Sequence, residues 1–454
     1  MVTTKQPKSR VVTGIQIGMV VLIAGFGLIR PTQAAAGSEP VGHSQTASGP
    51  HAVGGSSPAP VSFQTSGNAT ALGQNWVATW SAAQVQPART GVSAAGFANQ
   101  TVRQIVRISI GGSQVRLQLS NLFGAAPIRV DAAEIGVSEA GASVVGGINH
   151  PVTVGQSASF VLPAGGEVLT DPVALPVAAG GNLTVSLYFA IPTGPTTWHP
   201  VALTPSYVAA GNQVDASGPQ PYRATAASWY FLSGVDTVAP AGAQAIVAFG
   251  ASTTDGVKST TRTDQRWVDD LNRRIDEGGP GDLLAIVDQG ISGNRLLSNG
   301  GTCGPSGETR FAPDALSQPG VRAVIVSSLG NDDIGDKVGP DGRPVTAQAI
   351  IAGYQHLIAE AHAADVKIIG GTLTPNQGSV IYTLQGEAIR EAVNRWILTS
   401  GSFDATINLA AAVADPHHPT ELLARFDSGD HLHPNDAGYL AIADSINLAT
   451  LVAA

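Results

Sequence analysis

The chain has 454 residues, of which 43% are hydrophobic and 13% are charged, and it contains 54 glycines and 29 prolines. This length allows two or three domains with buried cores, and the composition favours short strands and turns over long solvated helices. The formal net charge of −9, without a basic block beyond the N-terminus, argues against nucleic acid as a partner. The single cysteine, Cys303, excludes an internal disulfide. We expect an inert thiol rather than a reactive one, because no neighbouring feature of the sequence predicts a lowered pKa.

Residues 1–36 have the features of an export signal. Lys5, Lys8 and Arg10 precede a mostly apolar run over residues 11–29, and the small residues at 34–36 suit signal peptidase. A retained membrane anchor is the alternative, since the apolar run is just long enough to span a bilayer. In either case we expect the body of the protein outside the cytoplasm, secreted or periplasmic, and free of the membrane once the signal is cleaved.

Two segments follow that differ sharply in pattern. Residues 37–72 are rich in Gly, Ser, Pro, Ala and Thr and predict a flexible linker. Residues 73–235 predict an antiparallel, β-sandwich-like domain, because short alternating runs such as 115–120 and 183–189 are separated by Gly-Gly turns.

The β-rich domain has no catalytic pattern. Glycan binding, shaping of a cleft and stabilisation of the fold all remain open as its role. Trp76, Trp80 and Trp198 could stack on sugars, although core packing is the more frequent role of such residues.

From residue 243 to 454 the pattern changes to alternating strands and helices. Strands are predicted at 245–249, 283–287, 323–326 and 366–369, and helices at 267–275, 347–362, 388–398 and 437–451. This alternation predicts an α/β domain of three layers, with a mostly parallel, flavodoxin-like sheet between helices. In such sheets ligands bind at the loops that leave the carboxyl ends of the strands.

Three of those loops carry residues suited to acyl chemistry. Ser252 follows the first strand between small residues, in a turn that would expose its hydroxyl group. Gly293 follows the second strand and would let a backbone N–H approach a substrate. Asn331 follows the third strand and could direct its amide N–H into the same cleft. Each segment taken alone is more simply a turn.

A fourth segment near the C-terminus supplies a carboxylate and an imidazole. Asp430 and His433 are three residues apart and precede a predicted helix, so a turn can join their side chains. Asp415 and His418 form a second Asp-x-x-His-Pro string, but no helix follows it directly, and we expect a loop. A metal could bind to one of two histidine pairs, His431 with His433 or His417 with His418, only with further Cys or His ligands, which the sequence does not offer.

Together the four segments resemble the SGNH hydrolase superfamily, also called GDSL esterases, over residues 243–454. The resemblance implies a catalytic triad of Ser252, His433 and Asp430. It implies an oxyanion hole formed by the backbone N–H groups of Ser252 and Gly293 and the side chain of Asn331, without metal or cofactor. The chain departs from the family at Ala251, where the family's Gly-Asp-Ser motif has aspartate.

Residues 290–297, around Gly293, and residues 430–439, around His433, are similar to the corresponding segments of the branch of xylan-associated arylesterases and acylhydrolases. This similarity implies a secreted serine esterase that forms an acyl-enzyme and acts on small-molecule or polysaccharide esters. The acyl chain length, the alcohol moiety and the oligomeric state stay open.

Two other functions remain as alternatives. A glycosidase would need two carboxylates, for which Asp332, Asp333 and Asp255 are candidates. A glycan-binding or adhesion protein with an inactive hydrolase domain is favoured only by Ala251.

Overall fold

The structure, a computed structural model, describes residues 73–277 and 283–453. The predicted export signal (1–36) and linker (37–72) lie outside the described residues. Among the described residues, no helix is both long and apolar enough to cross a membrane.

Residues 76–238 form antiparallel sheets, as predicted. The elements are β1 (Trp76–Ser81), α1 (Val92–Ala95), β2 (Gln100–Arg107), β3 (Val115–Ser120), β4 (Ile128–Val130), β5 (Ala132–Val137), β6 (His150–Pro151), β7 (Phe160–Leu162), β8 (Glu167–Leu169), β9 (Asn182–Phe189), β10 (Trp198–His199), β11 (Ser206–Ala210), β12 (Tyr222–Ala226), β13 (Trp229–Tyr230) and β14 (Leu232–Val238).

Two larger sheets share a single hydrophobic cluster. One has four strands in the order β1-β14-β3-β8, and the other has six in the order β12-β11-β2-β9-β5-β6. Alternating side chains of β3 and β9, such as Leu117 and Leu187, enter that cluster, which makes the arrangement sandwich-like.

The elements of the remaining part are β15 (Gln244–Gly250), α2 (Ser252–Asp255), α3 (Trp267–Glu277), β16 (Leu284–Gly290), α4 (Gly307–Arg310), β17 (Val321–Ser327), α5 (Asn331–Asp336), α6 (Ala347–Ala363), β18 (Lys367–Gly371), α7 (Leu384–Thr399), β19 (Ala405–Ile407), α8 (Leu409–Val413), α9 (Asp436–Ser445) and α10 (Leu448–Ala453). Its five strands form a parallel sheet in the order β16-β15-β17-β18-β19.

Strand β15 shows why this sheet lies between two helical layers. Its residues Ala245, Val247 and Phe249 pack in one buried cluster with α6 and α7, whereas Ile246 and Ala248 pack in another with α3 and α9. Because successive side chains of a strand point to opposite faces, a strand that is apolar throughout must be covered on both sides. The predicted three-layer α/β fold is therefore confirmed.

The predicted single helix over residues 437–451 is wrong, since α9 ends at Ser445 and α10 begins at Leu448. Arg274 donates to the carbonyl groups of Ala443 and Ile446, which an unbroken helix would use internally. The side chain of Asn447 then accepts from the N–H of Ala449 and starts the new helix. The short elements β19 and α8 were not predicted.

Strand β1 joins the antiparallel region to the parallel sheet. Val77 and Ala78 belong to the same buried cluster as β15, and the Ala78 N–H donates to the carbonyl of Pro319 at 2.9 Å. The Ser81 hydroxyl donates to the carbonyl of Asp288, at the end of β16, at 2.9 Å. The two regions therefore share part of one core.

The three tryptophans proposed as sugar platforms make contacts within the antiparallel region. Trp80 is 8% exposed and packs edge-on against Trp229, with 4.9 Å between the ring centroids. Trp76 lies under the guanidinium of Arg116, and Trp198 stacks on Tyr230. These contacts favour core packing.

Candidate active site

The Ser252 hydroxyl is presented by a sharp turn between β15 and α2. Glycine is required at position 250, since a Cβ there would lie 2.2 Å from the carbonyl oxygen of Ser327 and closer still to the side chain of Thr254. Thr254 in turn shares a 2.6 Å hydrogen bond with the Ser327 hydroxyl on β17, which fixes α2 to the sheet. Ala251, the position of the family's aspartate, is 1% exposed and makes no side-chain cap. The turn is thus held without that aspartate.

Ser252, His433 and Asp430 form a hydrogen-bonded line. The distance from His433 Nε2 to Ser252 Oγ is 2.9 Å, and that from His433 Nδ1 to Asp430 Oδ2 is 2.8 Å. A carboxylate only accepts, so Nδ1 carries the proton and Nε2 is free to accept the serine proton. The predicted neighbours therefore meet, although Ser252 and His433 are 181 residues apart in the chain.

Hydrogen bonds keep the Asp430 carboxylate ionised. Burial acts to raise its pKa, but the ring and the backbone N–H of His433 and the N–H of Leu432 hold the pKa well below its usual range. Lys258 adds a positive charge 3.7 Å from the oxygen that faces the imidazole ring. A negative charge at this position can orient the ring and stabilise an imidazolium.

The three predicted oxyanion donors lie at the carboxyl ends of adjacent strands. The Ser252 N–H is in the first turn of α2, where backbone donors have no partner within the helix. Gly293 has a φ of +76°, and a Cβ there would lie 2.8 Å from the Cys303 sulfur, so a larger residue would be strained and would have to displace that sulfur. Asn331 begins α5 and is 6% exposed, and within the described residues its Oδ1 has no hydrogen-bond partner.

Two buried carboxylates hold the loop that carries Gly293. Asp255 accepts from the N–H of Ser292 at 2.9 Å, and Asp333 accepts from the N–H groups of Leu296 at 2.6 Å and Leu297 at 3.0 Å. Burial raises the pKa of Asp333 to about 6, against the opposing effect of these N–H donors. Both carboxylates are 2% exposed or less, and they are engaged by backbone rather than facing each other across a cleft. This placement argues against Asp255 and Asp333 as the two carboxylates of a glycosidase.

Arg310 is part of the same framework and was missed by the sequence analysis. It is 2% exposed and donates to the carbonyls of Gly250 and Gln289, each at 2.8 Å, and to the side chain of Asn294 at 2.9 Å. It also pairs with Asp314 at 3.1 Å. One charged side chain thus joins the strand before Ser252 to the loop of Gly293. Nothing in the local sequence around Arg310 predicts contacts over such separations.

The other histidines suggested by the sequence lie elsewhere. His431 has a φ of +60° and directs Nδ1 to Asp427 at 2.5 Å, away from Asp430. In the second Asp-x-x-His-Pro string, the Asp415 carboxylate accepts from the backbone N–H groups of His417 and His418 rather than from a ring. That string is an exposed turn.

Cys303 lies beside the Gly293 backbone rather than at an open surface. Its sulfur would clash with a side chain at position 293, and burial raises the pKa of the thiol. A raised pKa suits the predicted inert thiol, since the thiolate is the reactive form.

Comparison with known proteins gives one family match, which lies within the parallel-sheet region. Residues 248–441 match the family described as GDSL-like lipase/acylhydrolase. No curated protein matches the chain.

Several solved structures are similar over the same part of the chain. A GDSL-like lipase from Bacteroides thetaiotaomicron shares 17% identity and a TM-score of 0.33, covering 46% of this chain and 89% of its own. An acetylxylan esterase from Geobacillus stearothermophilus shares 18% identity and a TM-score of 0.34, covering 44% of this chain and 91% of its own. An alpha/beta hydrolase from the metagenome of Lake Arreo shares 20% identity and a TM-score of 0.34, covering 46% and 94%.

Proposed function

We propose that the protein is a serine esterase that cleaves carboxylic esters through an acyl-enzyme, because residues 248–441 match the family described as GDSL-like lipase/acylhydrolase. The observation that carries this proposal is the line of hydrogen bonds from Ser252 through His433 to Asp430. A nucleophile, a base and an orienting carboxylate within hydrogen-bond reach are the arrangement that nucleophilic acyl transfer needs.

The proposed reaction starts with attack of Ser252 Oγ on the ester carbonyl. His433 Nε2 takes the hydroxyl proton, and Asp430 stabilises the imidazolium that forms. The N–H groups of Ser252 and Gly293 and the side-chain amide of Asn331 donate to the oxyanion of the tetrahedral intermediate. Collapse of the intermediate breaks the ester C–O bond, and His433 returns the proton to the leaving alcohol. Water then attacks the acyl group by the same route and releases the carboxylic acid and free Ser252.

We propose acetyl or short acyl esters of carbohydrates or aryl alcohols as substrates. This choice is supported by the strings around Gly293 and His433, and it goes beyond what the family match alone supports. A substrate panel of acetylated xylan, aryl acetates and longer acyl esters ranks the candidates by kcat/KM.

One pair of measurements tests the esterase proposal. We expect the purified protein to hydrolyse p-nitrophenyl acetate and not a p-nitrophenyl glycoside. We also expect a fluorophosphonate probe to label it stoichiometrically. Ser252→Ala should abolish both reactions, whereas Ser157→Ala, which changes an exposed serine of the antiparallel region, should leave both unchanged. Absence of labelling in the folded wild-type protein would refute the proposal and favour the inactive, glycan-binding alternative.

We also propose that the protein is exported, on the basis of the charged and apolar segments within residues 1–36. Expression with its own N-terminus and analysis of the secreted fraction test this. A mature N-terminus near residue 35 supports cleavage of a signal, whereas an intact N-terminus in the membrane fraction supports the anchor.

A further inference from the structure

His199, from strand β10 of the antiparallel region, is buried against the turn that presents Ser252. Its ring is 3% exposed, and its two nitrogens lie 2.7 Å from the carbonyl oxygen of Ala83 and 3.0 Å from Asp255 Oδ1. Carbonyl and carboxylate oxygens only accept, so both ring nitrogens must carry a proton. His199 is therefore an imidazolium, paired with the Asp255 carboxylate.

Asp255 connects His199 to the turn that presents Ser252 and to the loop that carries Gly293. It is the last residue of α2, three positions after Ser252, and is 1% exposed. One carboxylate oxygen faces His199, and the other accepts from the N–H of Ser292, the residue before Gly293. Asp255 thus ties the nucleophile turn to the oxyanion loop, and His199 supplies the charge that such a buried carboxylate needs.

Arg266 connects Asp255 to the segment that follows β10. The guanidinium of Arg266 donates to the carbonyl of Asp255 at 3.0 Å and to the carbonyls of Val201 and Ala202. Asp288, on β16, is the other carboxyl group that acts on His199, and it lies 3.7 Å from Arg266. The charged groups that act on the His199 ring are therefore Asp255 and Asp288, and Arg266 is the neighbouring cation, in contact with Asp288 and with the Asp255 carbonyl.

We infer that His199 is a positioning residue for the esterase site, and that the antiparallel region contributes to catalysis by holding Asp255 through this imidazolium. The inference rests on the proposed function, since it assigns a catalytic effect to the spacing between Ser252 and the Gly293 loop. It gives the antiparallel region a role that sugar binding does not supply. A displacement of about 1 Å in such a framework can cost about 10²-fold in rate.

Two near-isosteric variants separate the contacts of His199. His199→Gln can place an amide N–H at the Nε2 position, toward Asp255, whereas His199→Asn can place one at the Nδ1 position, toward Ala83. We expect His199→Asn to lower kcat about 10²-fold with little change in KM. His199→Gln should keep clearly more of the wild-type kcat. Ser81→Ala, which removes another hydrogen bond between the two regions, is the matched control and should keep kcat.

The pH profile provides a readout that loss of packing would not change. Burial opposes the charge of His199, but Asp255 raises its pKa above the ordinary value of 6.5. His199 therefore keeps its charge up to this raised pKa, and the pairing is lost as pH rises through it. We expect an alkaline decline of kcat in the wild type that is absent in His199→Gln, because glutamine does not titrate.

Hydrogen exchange tests the inference independently of activity. In His199→Asn the peptide over residues 290–296 should exchange faster than in the wild type, since the Ser292 N–H depends on a fixed Asp255 carboxylate. In Ser81→Ala it should not.

The outcomes distinguish this inference from the proposed function. A folded wild type that no fluorophosphonate labels refutes the esterase proposal, and hydrogen exchange then still decides whether His199 fixes the loop. Equal losses of kcat in His199→Gln and His199→Asn, with equal losses of Tm, would show a purely structural role and overturn the inference. Unchanged kcat and unchanged exchange in His199→Asn would overturn it as well.

Discussion

Arg310 Nη2 donates to the carbonyl oxygen of Gly250 at 2.8 Å, two residues before Ser252. The same guanidinium lies 4.0 Å from the ring centre of Phe249, so it covers the end of β15 by both polar and aromatic contact. Burial lowers the pKa of Arg310, against the nearby charge of Asp314, which offsets part of that cost. Desolvation of a buried cation is expensive, so loss of any of these contacts would leave part of that cost uncompensated.

Arg310→Lys should therefore be a severe change. A lysine ammonium cannot match the forked geometry that reaches Gly250, Gln289 and Asn294 together. We expect the free energy of unfolding to fall by about 3–5 kcal/mol, measured by urea denaturation. We also expect kcat of Arg310→Lys to fall further than kcat of a variant that carries the same substitution at the surface. Arg343→Lys provides that control, since Arg343 is exposed and lies 3.7 Å from an exposed Asp341. Similar values for both variants would contradict a framework role for Arg310.

The contact between Ser252 and His433 illustrates what the sequence could predict. The alternation of apolar strands and helices fixed the order of the loops, and parallel strands bring their carboxyl ends to one edge. The pattern thus placed Ser252 at that edge, and the resemblance of the four segments to the SGNH hydrolases implied its meeting with His433, 181 positions away in the chain. The alternation of apolar strands and helices also predicted a sheet covered on both faces, in agreement with the division of the β15 side chains between two buried clusters.

His199 and Arg310 show what the sequence could not predict. Each is one polar residue whose partners lie 56 and 60 positions away, at Asp255 and Gly250. A single long-range contact produces no repeating pattern in the sequence. The sequence also does not distinguish a charged residue that is buried from one that is exposed. The break between α9 and α10 was missed for the same reason, because Arg274 and its carbonyl acceptors are far apart in the chain.

His433→Ala should remove esterase activity, whereas His418→Ala should not. His433 is the ring in contact with Ser252, whereas the Asp415 carboxylate binds only backbone near His418. Loss of a triad member costs on the order of 10⁴-fold or more in kcat. His433 and His418 stand at the same position in two Asp-x-x-His-Pro segments, so each variant is the matched control of the other. Measured kcat for p-nitrophenyl acetate decides, and a loss in His418→Ala alone would show that the site has been misassigned.

Asn331→Ala should lower kcat about 10²–10³-fold with little change in KM, as expected for a donor that acts in the transition state. The side chain is 6% exposed at the start of α5, and its carbonyl oxygen is unpartnered within the described residues. Asn331→Asp keeps the shape but replaces the donor with a carboxylate, so it should be at least as impaired. Single-turnover acylation rates check both variants. Activity of Asn331→Asp near that of the wild type would exclude the amide from the oxyanion hole.

Asp288→Asn should change how stability depends on pH. Burial raises the pKa of Asp288 to about 7, with the charge of Arg266 opposing and that of Asp255 adding. An unfolded aspartate has a pKa of about 3.9, so between about pH 4 and 7 the folded protein binds more protons than the unfolded chain. By linkage, this group makes the free energy of unfolding fall as pH rises through that window and stay level above it.

Asparagine removes this titration while its Oδ1 can still accept from the N–H of Gly290, which lies 2.7 Å from the aspartate oxygen. Compared with the wild type, Asp288→Asn should therefore gain stability between pH 4 and 8, on the order of 1–4 kcal/mol. Asp341→Asn, at an exposed position, should show no such gain. Urea denaturation at several pH values measures the difference between each variant and the wild type. A difference for Asp288→Asn that does not vary with pH would show that this carboxyl group titrates alike in the folded and unfolded states.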